Sequence, residues 1–186
     1  MQSLAHGRPK EMLPIKGRPM ISYAIREAAF SGLQELYVVI TAQKNALRDY
    51  LASEALAEDI QSEERRQEVP IPYLTFIEQP VPTGSGDAVY RARELLRDEP
   101  FALMMPDFIL FGDTSALGQL IPLYERYGYD VVGLLSVRGR EGEGFGNVGI
   151  IQGQDEEPEV VLIRSLSSKI ADPLILEEDE HVLKAV

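Results

Sequence analysis

The chain contains no cysteine, which excludes a disulfide framework, thiolate chemistry and a thiolate metal site. Its two histidines, His6 and His181, are isolated residues of an acidic chain and read as exposed side chains, not metal ligands. No apolar stretch approaches the ~18 residues of a membrane span, and the opening MQSLAHGRPKEM has no apolar centre of the kind a secretory signal needs. A cytoplasmic protein without a membrane partner is therefore expected. Basic residues are also scarce: 18 Lys and Arg stand against 30 Asp and Glu, a net charge of −12. Because the basic residues are interspersed with acids, no nucleic-acid groove is expected, whereas a local site for a small anion can still form.

What is present is enough for one core. With 186 residues, 45% of them hydrophobic, the chain suits a single α/β domain over 1–186 and is short for two. Ile21, Ala24, Ile25, Ala28 and Ala29 share one face of a helix that Pro19 opens in its first turn and Gly32 ends. The run 36–41 that follows is so uniformly apolar and β-branched that a central, parallel strand is expected. A helix over 45–52, a charged, helix-prone but weakly periodic stretch over 54–68 that reads as a solvated extension, and a strand over 73–78 come next.

The loop QPVPTGSG then leads into a helix with Ala88, Val89, Ala92, Leu95 and Leu96 on one face. FALMMP, ending at Asp107, reads as a third strand. Residues 115–127 pattern as a helix that Pro122 should kink or shift, and 130–137 as a fourth strand. Short runs at 148–151 and 160–163 look like antiparallel additions. Strands alternating with helices predict a doubly wound, mainly parallel Rossmann-like sheet with ligands outside the carboxyl ends of its strands. The glycine loop and Asp107 both fall there.

PKEMLPI, from Pro9 to Ile15, and the helix with Glu27 that follows resemble the start of the bacterial UTP–glucose-1-phosphate uridylyltransferases, members of the sugar nucleotidyltransferase family. The resemblance continues in order through Gln79, the stretch Gly84-Ser85-Gly86-Asp87-Ala88-Val89, FALMMPD, the pair Phe145-Gly146 and a Lys near the end. It implies transfer of a uridylyl group from UTP to glucose 1-phosphate with Mg²⁺. In that reaction a phosphate oxygen attacks the α-phosphorus and no side chain is a nucleophile. Positioning and charge neutralisation must supply the catalysis.

By the same resemblance, Lys10 contacts phosphates and Asp107 holds Mg²⁺, roles that suit a compact ammonium and a carboxylate at a strand end. Glu11, Gln79, Gly84, Ser85 and Gly86 belong to the nucleotide site: Gln79 offers a donor and an acceptor to a base edge, and the glycines let backbone approach a ring. A plain turn, with Thr83 or Ser85 capping the helix, is the competing view of that loop. Asp113 looks like a cap. Gly146 is implied to face the sugar, beside Phe145 where a Tyr is commoner. Lys169 is the candidate for the sugar phosphate although Ser168-Lys169-Ile170 replaces Glu-Lys-Pro, and Arg164 is the fallback. Glu27 reads equally as a loop-orienting carboxylate and as an ordinary exposed helix residue.

The family's opening strand and GxGTR-type loop should precede Met1, and further elements should follow Val186. Self-association or poor solubility is expected where such elements leave backbone and apolar surface unpaired. Two other readings stay open: a non-catalytic nucleotide-sugar-binding module, and a nucleotidyltransferase for another base.

Overall fold

Pro9 opens the described chain with φ −53°, and its carbonyl accepts the Met12 N–H at 2.9 Å, closing a 3₁₀ turn over Lys10–Met12. A computed structural model describes residues 9–61, 69–112, 114–138, 151–166 and 181–185. Lys16 and Gly17 both take positive φ, 48° and 85°, as a tight two-residue hairpin turn of the I′ type requires. They fold β1, Pro14–Ile15, back on β2, Arg18–Pro19.

Helix α1, Met20–Phe30, follows directly, with Pro19 as its N-cap and not inside its first turn. Its buried face is the one the spacing predicts, except that Ala24 is only half-buried. At its end Gly32 turns to φ 78°, and the N–H groups of Leu33 and Gly32 bond to the carbonyls of Ala28 and Ala29. That Schellman geometry satisfies the last carbonyls and sends the chain into β3, Glu35–Ile40.

Strand β3 pairs in parallel with β4, Tyr73–Glu78, in a register running from Glu35↔Tyr73 to Ile40↔Glu78. A parallel pair needs a long crossover, and here it includes α2, Asn45–Leu51, and α3, Glu54–Ile60. Ile21, Ile25 and Ala29 of α1 pack with Ile40, Leu47, Leu51, Leu56 and Ile60 into one core. Each Ile or Leu of this core contributes about 1.5–3 kcal/mol by leaving water, and Leu56 and Ile60 show that 54–60 is a packed helix and not the solvated extension expected. α4, Ser85–Leu96, follows β4.

The expected third strand does not form. Residues 101–106 carry no strand assignment, and Phe101, Leu103 and Met105 are exposed. Apolar composition gives the segment strand propensity, but a strand exists only against a partner. Among the described residues no ladder reaches it, and β3–β4 stays two-stranded.

The chain parts after Pro122 into two compact units. Helix α5, Ala116–Tyr127, runs continuously through Pro122. In the second unit β5, Leu134–Arg138, is the expected fourth strand, and it pairs antiparallel with β8, His181–Ala185. β6, Ile151–Glu157, and β7, Val160–Leu166, form the second antiparallel pair. The sequence expectation for β6 ended at 151 because Gln152–Glu157 is polar; this strand is exposed along most of its length. No described helix is long and apolar enough to cross a membrane.

Candidate active site

Parallel pairing places the carboxyl ends of β3 and β4 on one rim, and the Gln79 N–H reinforces this by donating to the Ile40 carbonyl at 2.8 Å. The loop leaving β3 turns at Thr41, whose carbonyl accepts the Lys44 N–H. Lys44 Nζ then donates to Glu11 Oε1 at 2.8 Å, and Glu11 is buried. The 3₁₀ turn is therefore moored to that rim. Its next-door residue completes the connection, since Lys10 Nζ donates to Asp107 Oδ2 at 2.8 Å across 97 residues of chain. Lys10, Glu11 and Asp107 are thus linked to the rim by consecutive ion pairs.

The two acids are each half-satisfied. Glu11 Oε2 and Asp107 Oδ1 are buried and meet no hydrogen-bond donor among the described residues. An orphaned buried acceptor costs roughly 1–3 kcal/mol, so two of them call for an explanation. Burial alone would raise the Asp107 pKa, but the hydrogen bonds from Lys10 and from its own backbone N–H outweigh it and hold the group below its ordinary 3.8. A carboxylate that stays ionised with one oxygen free fits a hard cation. No three His, Cys, Asp or Glu side chains gather among the described residues. Mg²⁺ commonly takes one or two carboxylates and completes its shell with phosphate and water, so a single carboxylate such as Asp107 is compatible with it.

The second cluster lies in the loop after β4. Gly84, with φ 120° and ψ 174°, caps α4 in a conformation that side chains rarely adopt, and the cap lacks any side-chain hydrogen bond. The loop does turn into a helix start, as the competing view has it, but the cap is Gly84 and not Thr83 or Ser85: Thr83 Oγ1 lies 3.4 Å from the Val81 carbonyl and Ser85 is already helical. A methyl group placed on Gly84 or Gly86 would meet no protein atom within 4 Å, so the space above both glycines is open. Gln79 is buried, and its Nε2 donates to the Gly84 carbonyl at 3.1 Å and to Asp87 Oδ2 at 2.8 Å. Asp87 in turn accepts from Arg91 Nε at 2.8 Å. The bonds from Arg91, then Gln79 and Thr83, lower the Asp87 pKa to about 2.

Sequence reasoning missed Lys44, and it treated Asp87 only as part of a motif. The i, i+4 spacing of Asp87 and Arg91 was the available signal for an ordered acid on α4. Nothing in the sequence marks Lys44. Glu27 is resolved in favour of orientation: its Oε1 accepts the Leu117 N–H at 2.8 Å, in the first turn of α5. Ser31 Oγ donates to Ser115 Oγ at 2.9 Å, and Ser115 Oγ accepts the Gly118 N–H. The segment from Asp107 to Ser115 is consequently anchored at both ends, by Lys10 and by α1. Between them Phe111 meets the Tyr23 ring edge-on and lies 4.7 Å from Lys16 Nζ. Arg164 lies exposed on β7 in the second unit. Gly146, Lys169, Phe145, Asp113 and His6 lie outside the described residues, as does the side chain of His181.

A parallel strand pair with glycine-loop and acid-bearing segments at its carboxyl rim is the nucleotide-binding arrangement of Rossmann-like α/β proteins. Residues 1–163 match the Nucleotidyl transferase family, and the chain belongs to it. It is 34% identical over 170 residues to the UTP–glucose-1-phosphate uridylyltransferase YngB of Bacillus subtilis (strain 168), covering 87% of this chain and 56% of that protein. It is 33% identical over 152 residues to UTP–glucose-1-phosphate uridylyltransferase 2 of Staphylococcus saprophyticus, covering 77% and 53%. A crystal structure of UDP-glucose pyrophosphorylase complexed with UDP-glucose superposes with a TM-score of 0.75 at 28% identity, over 96% of this chain and 65% of that one. The chain thus spans little more than half the length of these curated relatives.

Proposed function

We propose that the protein takes part in uridylyl transfer from UTP to glucose 1-phosphate, giving UDP-glucose and pyrophosphate. The observation that carries this reading is the Lys10–Asp107 pair beside a rim that also bears the Gln79–Gly86 loop. The sugar-phosphate oxygen bonds to the α-phosphorus as the bond to the pyrophosphate oxygen breaks. With no protein nucleophile to supply, this chain's residues bind and neutralise.

Lys10, partly exposed, exchanges its partner Asp107 for a phosphate oxygen of UTP. Asp107, one of whose oxygens meets no donor among the described residues, would be the side chain that holds Mg²⁺. When bound, Mg²⁺ supplies positive charge to the phosphates of the nucleotide. Glu11, held by Lys44, keeps the Lys10 turn in place at the nucleotide. Gln79 reads the base edge, and Gly84, Ser85 and Gly86 leave room for the uracil ring. Gly146 and Lys169 are assigned to the sugar and its phosphate by the family likeness alone. The setting proposed is the cytoplasm.

Isothermal titration calorimetry with UTP and with UDP-glucose, with and without Mg²⁺, tests the reading. Uridine nucleotides should bind more tightly than those of other bases, and Asp107→Ala should abolish the gain from Mg²⁺. Equal binding of all bases would end the uridylyl assignment. Metal-independent binding untouched by Asp107→Ala would remove Asp107 from its role.

A further inference from the structure

We infer that Asp87 is a positioning residue that sets base specificity by fixing which end of the Gln79 amide faces the nucleotide. This rests on the reading of Gln79 as the base-contacting side chain. A glutamine is chemically two-faced: its amide carries two N–H donors at one end and a carbonyl acceptor at the other, and a half-turn exchanges them. Left free, it would read a donor and an acceptor on a base about equally well.

Here it is not free. Nε2 has two hydrogens and two acceptors to receive them, the Gly84 carbonyl at 3.1 Å and Asp87 Oδ2 at 2.8 Å. Both partners can only accept, because one is a backbone carbonyl and the other an ionised carboxylate. Flipping the amide would set Oε1 against two oxygens and break both bonds. Arg91 holds the carboxylate in turn, donating from Nε to the same Oδ2 at 2.8 Å, so the acid is itself oriented. The remaining group of Gln79 is the carbonyl Oε1, a pure acceptor.

An acceptor at the base edge selects for a ring N–H. Uracil has one at N3, whereas the ring nitrogen at the same position of cytosine is an acceptor and would face Oε1 lone pair to lone pair. The two bases are otherwise nearly the same size, so shape alone would separate them poorly. A site built around a fixed hydrogen bond discriminates well because the wrong partner leaves a buried polar group unpaired. Gln79 is buried, which makes that mismatch expensive.

The test is a comparison of UTP and CTP binding by calorimetry, both with Mg²⁺, for the full chain and for Asp87→Ala, with thermal melting followed in parallel. The wild type should prefer UTP, and the substitution should cut that preference by roughly tenfold, the equivalent of about one charge-assisted hydrogen bond. The loss should come from the ratio, because an amide free to turn can present Nε2 to cytosine. If both nucleotides weaken equally and the ratio holds, Asp87 merely supports the loop and the inference is wrong. A wild type indifferent to the base would overturn the uridine reading itself and this inference with it. Should Asp87→Ala fail to fold, Asp87→Leu decides: it fills the space without an acceptor for Gln79 Nε2, so the preference should fall as it does for Asp87→Ala, and an unchanged ratio refutes the proposal.

Discussion

Gly86→Ala separates a glycine kept for the fold from one kept for a ligand. Gly86 lies in the first turn of α4, its φ is outside the left-handed region, and an added methyl would meet no atom within 4 Å. The folded chain therefore has no steric objection to alanine. Alanine also favours a helix over glycine by up to ~1 kcal/mol, less in a first turn, so stability should stay level or rise by about 0.5 kcal/mol. If the open space is where a base lies, the same methyl should weaken UTP binding by at least about tenfold, or 1.4 kcal/mol. Gly84→Ala supplies the contrast. At φ 120° an alanine is strained by about 1–3 kcal/mol, so that variant should lose stability as well as affinity. Urea unfolding followed by circular dichroism, with calorimetric titration of UTP on each variant, gives both quantities. Full UTP affinity in a stable Gly86→Ala protein would show that no ligand approaches this glycine, and the base pocket would have to be sought elsewhere.

The Lys10–Asp107 pair should respond unequally to loss of its two members. Lys10→Ala leaves the more buried carboxylate unpaired and should cost about 1–2 kcal/mol, whereas Asp107→Ala frees a partly exposed ammonium to hydrate and should cost under about 1 kcal/mol. Denaturant unfolding at pH 7 checks the order, and the reverse order would refute it. Because Asp107 is depressed below 3.8 in the folded state, its contribution is present above that value and lost as pH falls through its folded pKa. The stability gap between wild type and Asp107→Asn should accordingly be flat from pH 7 to about 5 and shrink below about 4. Glu27→Ala should destabilise α5 by about 1–2 kcal/mol by removing the acceptor for Leu117 N–H, while Glu27→Gln, which keeps an acceptor, should recover most of it; equal losses in the two variants would mean the carboxylate acts by charge.

Much of the first unit was legible because its elements announce themselves locally. The apolar spacing of α1, the β-branched run of β3 and the glycine at 32 each follow from short-range chemistry, and the observed ends differ from the expected ones by a residue or two. FALMMP failed for the opposite reason. Its composition says strand, but pairing is a property of two segments, and composition reports on one. β5 was found as a strand, but its partner could not be read, since the direction in which it pairs with β8 is decided by a segment near the far end of the chain. β6 was cut short because a strand exposed on most of its residues carries no apolar alternation to detect.

The candidate site divides along the same line. Residue types were readable: an acid after an apolar run, glycines opening a helix, a Lys beside a Glu. Apart from the i, i+4 pair Asp87–Arg91, their partners were not, because the other bonds of the site join segments distant in sequence or depend on the conformation of the loop between. The adjacent pair Lys10-Glu11 shows what this means. Read along the chain, the two opposite charges look self-compensating. In the fold a single 3₁₀ turn directs them to different elements: Glu11, buried, to Lys44 behind β3, and Lys10, partly exposed, to Asp107. One charge fixes the turn and leaves the other available for exchange. In the uridylyl transfer proposed above, where two polyanions meet and no protein nucleophile is needed, an exchangeable cation on a fixed turn would serve to bind and neutralise.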